Sequence, residues 1–267
     1  MGYLRKVANE WRAIGRRAPL IDRRALRRAY CKVQLTYVVA VRLLRLQPRR
    51  ARVLGIRFRL FDYAAFAMMF EEIFAREEYR FEPGPAPVIL DCGANIGVAC
   101  AWFKTVAPGS RVTCFEPDPQ TAAVLRENVA RNGWTDVEVV EAALAAADGE
   151  ADLFGEPGSP LQTTRGGAGA RRVRTVRLSP YVTGEVDLLK LDVEGAERAV
   201  TAELAASGAL VRVRRLAMEV NHLPGEPLSE LLRPLDEAGF TYALWAPNDP
   251  PLEPARAQNL LIVAQRR

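Results

Sequence analysis

From Leu26 onward the apolar positions Leu26, Tyr30, Val33, Tyr37, Val41 and Leu44 recur at spacings of three and four. Arg23, Arg24, Arg27, Arg28, Arg42 and Arg45 fall mostly elsewhere on the helical wheel. This spacing predicts a basic amphipathic helix. After Pro48, residues 53–60 alternate, with Leu54, Ile56, Phe58 and Leu60 on one face, which predicts a half-buried strand; a helix over 62–75 follows. Pro83-Gly84-Pro85-Ala86-Pro87 is too proline-rich for a helix or a central strand and reads as a linker. The expected organisation is a basic, mainly helical region with a short strand over 1–82, leading into a main domain over 83–267.

Past the linker the apolar period switches repeatedly between two and 3.6. Strands are expected over 88–92, 111–115, 137–141, 173–178, 186–192, 214–220, 240–245 and 259–264, and helices over 97–106, 118–132, 195–207 and 228–238. The second of these helices is well punctuated. Asp118 is its N-cap, Pro119 sits at N1, Ala122, Leu125 and Val129 share a face, and Asn132-Gly133 closes it. Alternation of this kind predicts an α/β fold, a mostly parallel sheet with helices on both faces. Residues 155–169 hold five glycines and two prolines and are expected to form a loop that could serve as a lid.

Composition removes several function classes. With 267 residues, 49% apolar and 26% charged, the chain reads as an ordinary globular protein, neither disordered nor a disulfide miniprotein. The four cysteines (Cys31, Cys92, Cys100 and Cys114) show no CxxC pairing, so a reducing compartment is expected and a structural zinc is not. A single histidine, His222, excludes any site needing two imidazoles from one chain. No apolar run approaches the ~18 residues of a membrane span, and arginines interrupt the N-terminus where a signal sequence would be apolar; the expectation is a cytoplasmic protein.

The net charge of +5 hides an asymmetry: residues 1–60 carry seventeen lysines and arginines against Glu10 and Asp22, and the remainder is net acidic. The basic helix is expected to pack on that acidic remainder or on a second subunit in a homodimer. Peripheral contact with an anionic membrane or an acidic substrate is the alternative. No reading motif for sequence-specific nucleic-acid binding accompanies it.

Three segments carry chemistry. Asp91-Cys-Gly93-Ala-Asn95-Ile-Gly97 follows an apolar strand and opens a helix, where ligands of such sheets bind. A dinucleotide fingerprint would read GxGxxG and face a pyrophosphate. Here the pattern is GxNxG behind an acid, which disfavours phosphates and suits a cationic, phosphate-free ligand such as S-adenosylmethionine. Glu116 ends the next strand, 19 positions after Gly97, where a carboxylate accepts ribose hydroxyls. Asp187-Leu-Leu-Lys190-Leu-Asp192-Val-Glu194-Gly195-Ala-Glu197 delivers Lys190, Asp192 and Glu194 to one strand end.

Together these segments resemble the FkbM-type family of S-adenosylmethionine-dependent methyltransferases: DCGANIG, FEPDP, Ala143-Leu144 with Asp148-Gly149, and DLLKLDVEGAE, with Glu72-Ile73-Phe74 and Tyr79 as a lead-in. The resemblance runs over about 53–264 and omits the arginine-rich start. It implies a Rossmann-like seven-stranded sheet and methyl transfer, usually to oxygen. By analogy Asp91, Gly93, Asn95 and Gly97 surround the methionine portion, Glu116 the ribose, and Glu141, Ala142 and Ala143 the adenine edge, where a backbone contact stays open. Ala94 and Pro117 belong to the same cofactor-binding set.

Methyl transfer needs an acceptor oxygen held in line at roughly 3–3.5 Å and, for a hydroxyl, a base or a metal. Asp192 is the first candidate at the reacting centre, with Lys190 orienting or polarising, and His222 is the alternative base. Asp192, Glu219 and Asn221 also form an all-oxygen set acceptable to Mg²⁺, a possibility rather than the expectation. The chain lacks the Asn/Asp-Pro-Pro-aromatic tetrad of amino-methylating enzymes after the fourth main-domain strand. It also has no cysteine beyond Cys114 for base-carbon methylation. The expected acceptor is a hydroxyl of a small molecule, sugar or glycan. The competing readings are a nicotinamide-dependent oxidoreductase and a non-catalytic module that binds a membrane or a partner.

Overall fold

A computed structural model describes residues 2–17, 19–155, 162–164, 169–221, 227–245 and 259–266. It opens with α1 (Gly2–Arg16), which the apolar spacing did not single out, and α2 (Arg23–Thr36), which runs on into a π-helical turn, Tyr37–Leu43. Asp22 caps α2 by accepting from the Ala25 N–H at 2.8 Å. The strand expected over 53–60 is instead a hairpin of β1 (Arg50–Val53) and β2 (Ile56–Arg59). Leu54 and Gly55 break it with φ of +53° and +82°, the left-handed pair that a tight hairpin turn requires. α3 (Tyr63–Phe70), capped by Asp62 through the Ala65 N–H at 2.7 Å, continues as the π-helical turn Glu71–Ala75.

The main domain follows as β3 (Val88–Cys92), α4 (Val98–Val106), β4 (Arg111–Phe115), α5 (Pro119–Asn132), β5 (Val137–Val140), β6 (Ala143–Leu144), β7 (Gly149–Leu153) and β8 (Arg171–Val176). Then come β9 (Leu188–Leu191), α6 (Glu197–Ala206), β10 (Arg215–Asn221), α7 (Leu228–Glu237), β11 (Phe240–Trp245) and β12 (Asn259–Arg266). Seven strands form one sheet in the order β11-β12-β10-β9-β3-β4-β5, parallel except that β12 lies antiparallel between β10 and β11. This is the mostly parallel α/β sheet that the alternation predicts. The segment expected over 173–178 is β8, and it leaves the main sheet. It pairs with β6 and β7, two strands too short or too glycine- and acid-rich to stand out by period, in a separate three-stranded sheet.

The order in which strands are added reverses between the parallel neighbours β3 and β9, and such a switch point opens a crevice at the carboxyl ends of the strands. The N-terminal region is built into one wall. Leu26, Tyr30, Phe66, Phe70, Phe74, Trp102 and Phe103 belong to a single buried cluster that crosses residue 83, with the Phe70 and Phe74 rings stacked at 4.8 Å. The buried Glu71 is held there by Lys6 at 3.0 Å, Arg76 at 2.7 Å and the Tyr30 hydroxyl, which donates at 3.0 Å. On the other side Asn128 of α5 accepts from the Arg59 N–H at 2.6 Å. Its amide nitrogen donates to the carbonyls of Arg59 and Ile96 at 3.1 and 2.9 Å. No described helix is long and apolar enough to cross a membrane.

Candidate functional site

β3 and β9 pair in register, so the turn after Cys92 meets the backbone that leaves Leu191. Gly93, at φ +83°, packs so closely that a Cβ there would lie 1.7 Å from the Asp192 carbonyl oxygen. The N–H groups of Gly93 and Ala94 both donate to the Phe115 carbonyl, at 3.1 and 2.9 Å, and staple the turn to the end of β4. Asn95, at φ +49°, donates its N–H to Glu116 Oε2 at 2.9 Å, while Glu116 Oε1 accepts from the Asp118 N–H at 3.0 Å. Glu116 is therefore clamped from both sides by main chain. Burial pushes its carboxyl up to about 7, against those two N–H groups.

The buried Lys190 organises the centre. Its ammonium donates to the Gly93 carbonyl at 2.7 Å and pairs with Asp192 at 3.1 Å and with Asp91 at 3.5 Å, beneath the Tyr79 ring at 5.5 Å. Burial works against its charge, yet Asp192, Asp91 and Glu219 outweigh that and raise its pKa. Asp91 is fully buried, and burial raises its carboxyl even with Lys190 beside it. Glu219, at the end of β10, accepts from the Tyr79 hydroxyl at 2.8 Å; the charge of Asp192 and then burial hold it well above the usual carboxylate range. Burial also raises Glu72.

Glu72, Tyr79, Glu116, Lys190, Asp192 and Glu219 face a cavity of about 320 Å³. Of the expected residues, Gly93, Ala94, Asn95, Glu116, Pro117, Ala142, Ala143, Lys190 and Asp192 line it. Three do not. Asp91 is sealed in against Lys190, and Gly97 (φ +88°) turns the chain into α4 with its α-carbon against Leu125, where a Cβ would meet Cδ1 at 2.6 Å. The Glu141 side chain points to Arg126, at 2.7 Å, which leaves that wall to Ala142, Ala143 and Leu144.

His222 lies outside the described residues, as does the Asn221 side chain. Among the described residues no three His, Cys, Asp or Glu side chains gather as a metal-binding group. Gln162 and Thr164, from the expected lid, reach the cavity, and the Thr163 hydroxyl donates to the Glu194 carbonyl at 2.6 Å; residues 156–161 and 165–168 are outside the description.

Sequence reasoning missed the contribution of the N-terminal region. Met68, Met69, Glu72, Ile73 and Tyr79 complete the cavity. The only signal was the lead-in segment around Glu72 and Tyr79. With Glu72, Glu116, Asp192 and Glu219 on its walls and its one lysine tied to Asp91 and Asp192, the site suits a cation rather than a phosphate. A glycine turn without Cβ atoms beside a clamped carboxylate fits a nucleoside whose ribose hydroxyls donate to Glu116. This chemistry matches S-adenosylmethionine and not a nicotinamide dinucleotide.

Residues 91–242 match the Methyltransferase FkbM domain. Among curated proteins the chain is similar to the AMB antimetabolite synthetase AmbE of Pseudomonas aeruginosa, at 30% identity over 70% of this chain. It is also similar to the 2-O-methyltransferase NoeI of Sinorhizobium fredii, at 34% over 44%, and to the 31-O-demethyl-FK506 methyltransferase FkbM of Streptomyces tacrolimicus, at 28% over 65%. The matched stretches span 11% of AmbE, 57% of NoeI and 81% of the Streptomyces protein. The family match covers more than half of the chain and contains the glycine turn, Glu116, Lys190, Asp192 and Glu219, and the chain therefore belongs to the FkbM family of S-adenosylmethionine-dependent methyltransferases.

Proposed function

We propose that this protein methylates a hydroxyl oxygen of a small molecule, sugar or glycan. The observation that carries this reading is the pair of carboxylates, Asp192 and Glu219, which follow or end the adjacent strands β9 and β10 and open on the same cavity as the glycine turn and Glu116. A hydroxyl is a poor nucleophile until its proton has somewhere to go, and a carboxylate within reach can receive it. The names of NoeI and of the Streptomyces protein refer to oxygen positions, which supports an oxygen acceptor.

Bound S-adenosylmethionine would supply an electrophilic methyl group on a sulfonium sulfur. Gly93, Ala94 and Asn95 would hold its methionine portion, Glu116 its ribose, and Pro117 with the Ala142-Ala143 backbone its adenine edge. Lys190 is a positioning residue: one ammonium fixes the Gly93 carbonyl and the Asp192 carboxylate together. The Asp192–Glu219 pair accepts the acceptor's proton, with Tyr79 orienting Glu219. Met68, Met69 and Ile73 give the cavity an apolar wall against which an acceptor could pack.

Two outcomes test these roles. Asp192→Asn is expected to lower turnover by about 10²–10⁴-fold, measured with labelled methyl donor and a panel of hydroxylated acceptors, while S-adenosylhomocysteine affinity stays within a few-fold. Undiminished turnover in that variant, with a collapse in His222→Ala, would move the base to His222. Glu116→Gln is expected to weaken S-adenosylhomocysteine binding by about ten- to a hundredfold in calorimetry. Because Glu116 titrates at about 7 and hydroxyl donors favour its ionised form, wild-type affinity should rise from pH 6 to 8 and then level off. A flat profile would remove Glu116 from the ribose site.

A further inference from the structure

The helix that the sequence marks as amphipathic carries two apolar rows, and the fold consumes only one. Leu26, Tyr30 and Val33 are buried in the core, whereas Leu35, Val39 and Leu43, each four residues from the last, are 65%, 39% and 69% exposed. The wider i→i+5 turn over Tyr37–Leu43 keeps residues four apart nearly in line, and Leu44 and Leu46, just past it, are exposed as well. Folding gains nothing from leaving these side chains in water, and a contiguous apolar patch rimmed by charge marks a contact surface.

The rim is basic. Arg24, Arg28, Arg42, Arg45 and Arg50 are exposed, and among the described residues Arg24, Arg28, Arg45 and Arg50 have no ion-pair partner although the rest of the chain is net acidic. The fold uses Glu10 and Glu71 to pair Arg17, Arg76 and Lys6, and leaves this set uncompensated.

We propose that this face of α2 and its π-helical turn seats on an anionic lipid bilayer, with the leucines entering the headgroup boundary and the arginines meeting lipid phosphates. A second copy of the chain is a poorer occupant. A two-fold contact presents the same patch from both subunits, so it adds a second set of uncompensated arginines to the interface rather than neutralising the first. Nucleic acid would engage the arginines and leave the leucine row without a role. No described helix is long and apolar enough to cross a membrane, so on this proposal the attachment is peripheral. α3 packs against the π-helical turn and carries Met68 on the cavity wall, which sets the docked face one helix away from the methyl-transfer site.

Vesicle co-sedimentation tests this without any acceptor. The wild-type chain should bind vesicles of phosphatidylcholine with about one-third phosphatidylglycerol, and not phosphatidylcholine alone. Leu35→Ser combined with Leu43→Ser should lower that partitioning by about tenfold or more. Arg24→Gln with Arg28→Gln and Arg45→Gln should do the same. All are exposed positions, so unchanged melting temperature and S-adenosylhomocysteine affinity would certify the variants as folded. Binding that ignores the leucine substitutions, absence of vesicle binding, or a wild-type dimer that Leu35→Ser with Leu43→Ser turns into monomers would each overturn the proposal, the last by assigning the face to a second copy.

Discussion

Gly93→Ala is expected to abolish binding of S-adenosylhomocysteine, with no measurable calorimetric heat, and to destabilise the fold by about 3 kcal/mol or more. Two effects add at this position. The residue sits at φ +83°, where a side chain is strained, and the new Cβ would stand 1.7 Å from the Asp192 carbonyl oxygen, which is main chain and cannot swing aside. Relief requires β3 and β9 to part at their carboxyl ends. That would detach the Gly93 carbonyl from Lys190 and disturb the N–H groups stapled to Phe115. A variant with wild-type affinity and melting temperature would show that the turn adapts and is no rigid cradle.

Lys190→Met is expected to be the most damaging single change to stability, about 3–5 kcal/mol. On a chain of this size that corresponds to a melting temperature lower by about 10 °C. The methionine fills the space but leaves Asp91, fully buried, without its cation. The pH dependence separates this cause from simple misfit. In the wild type, the raised pKa of Lys190 keeps its contribution intact up to its unfolded value of about 10.4, and that contribution is lost only as pH climbs through the higher folded value.

In the variant the carboxyl of Asp91, already raised by burial, rises further. Between its unfolded pKa of about 3.9 and that higher value the folded state holds a proton that the unfolded chain lacks, so stability falls with increasing pH. The deficit relative to wild type should therefore shrink between pH 8 and pH 5. A deficit that is constant over this range would point to packing instead.

The parts of the site that sit within one strand and its following turn were legible in the sequence, because there local conformation and chemistry coincide. Gly93 and Gly97 announce backbone that needs φ above zero, and both adopt it; Asp118 and Pro119 announce a helix start, and the helix starts there. Strands β3, β4 and β11 begin and end where the apolar runs do. The hairpin was hidden because alternation continues through Leu54-Gly55, and only the left-handed pair of φ values reveals the reversal. β6 and β7 escaped because two residues, or a run with one glycine and two acids, carry no usable period.

Contacts between distant segments were far less legible. Tyr79 and Glu219 meet across 140 positions, and although the resemblance takes in the segment around Glu72 and Tyr79, no local pattern there shows that it supplies a wall of the cavity. Glu141 illustrates the reverse. The resemblance to the family implied an adenine contact there, by side chain or backbone, and an arginine one helix away captures the carboxylate.

Asn128 ties together parts of the molecule that otherwise have little in common. Its one carboxamide grips the Ile96 carbonyl in the glycine turn and both main-chain groups of Arg59 in the arginine-bearing hairpin. The hairpin cannot slide along α5 without breaking hydrogen bonds of the same carboxamide that holds the glycine turn. One side chain of α5 thus fastens the N-terminal hairpin and the turn after β3 at the same point.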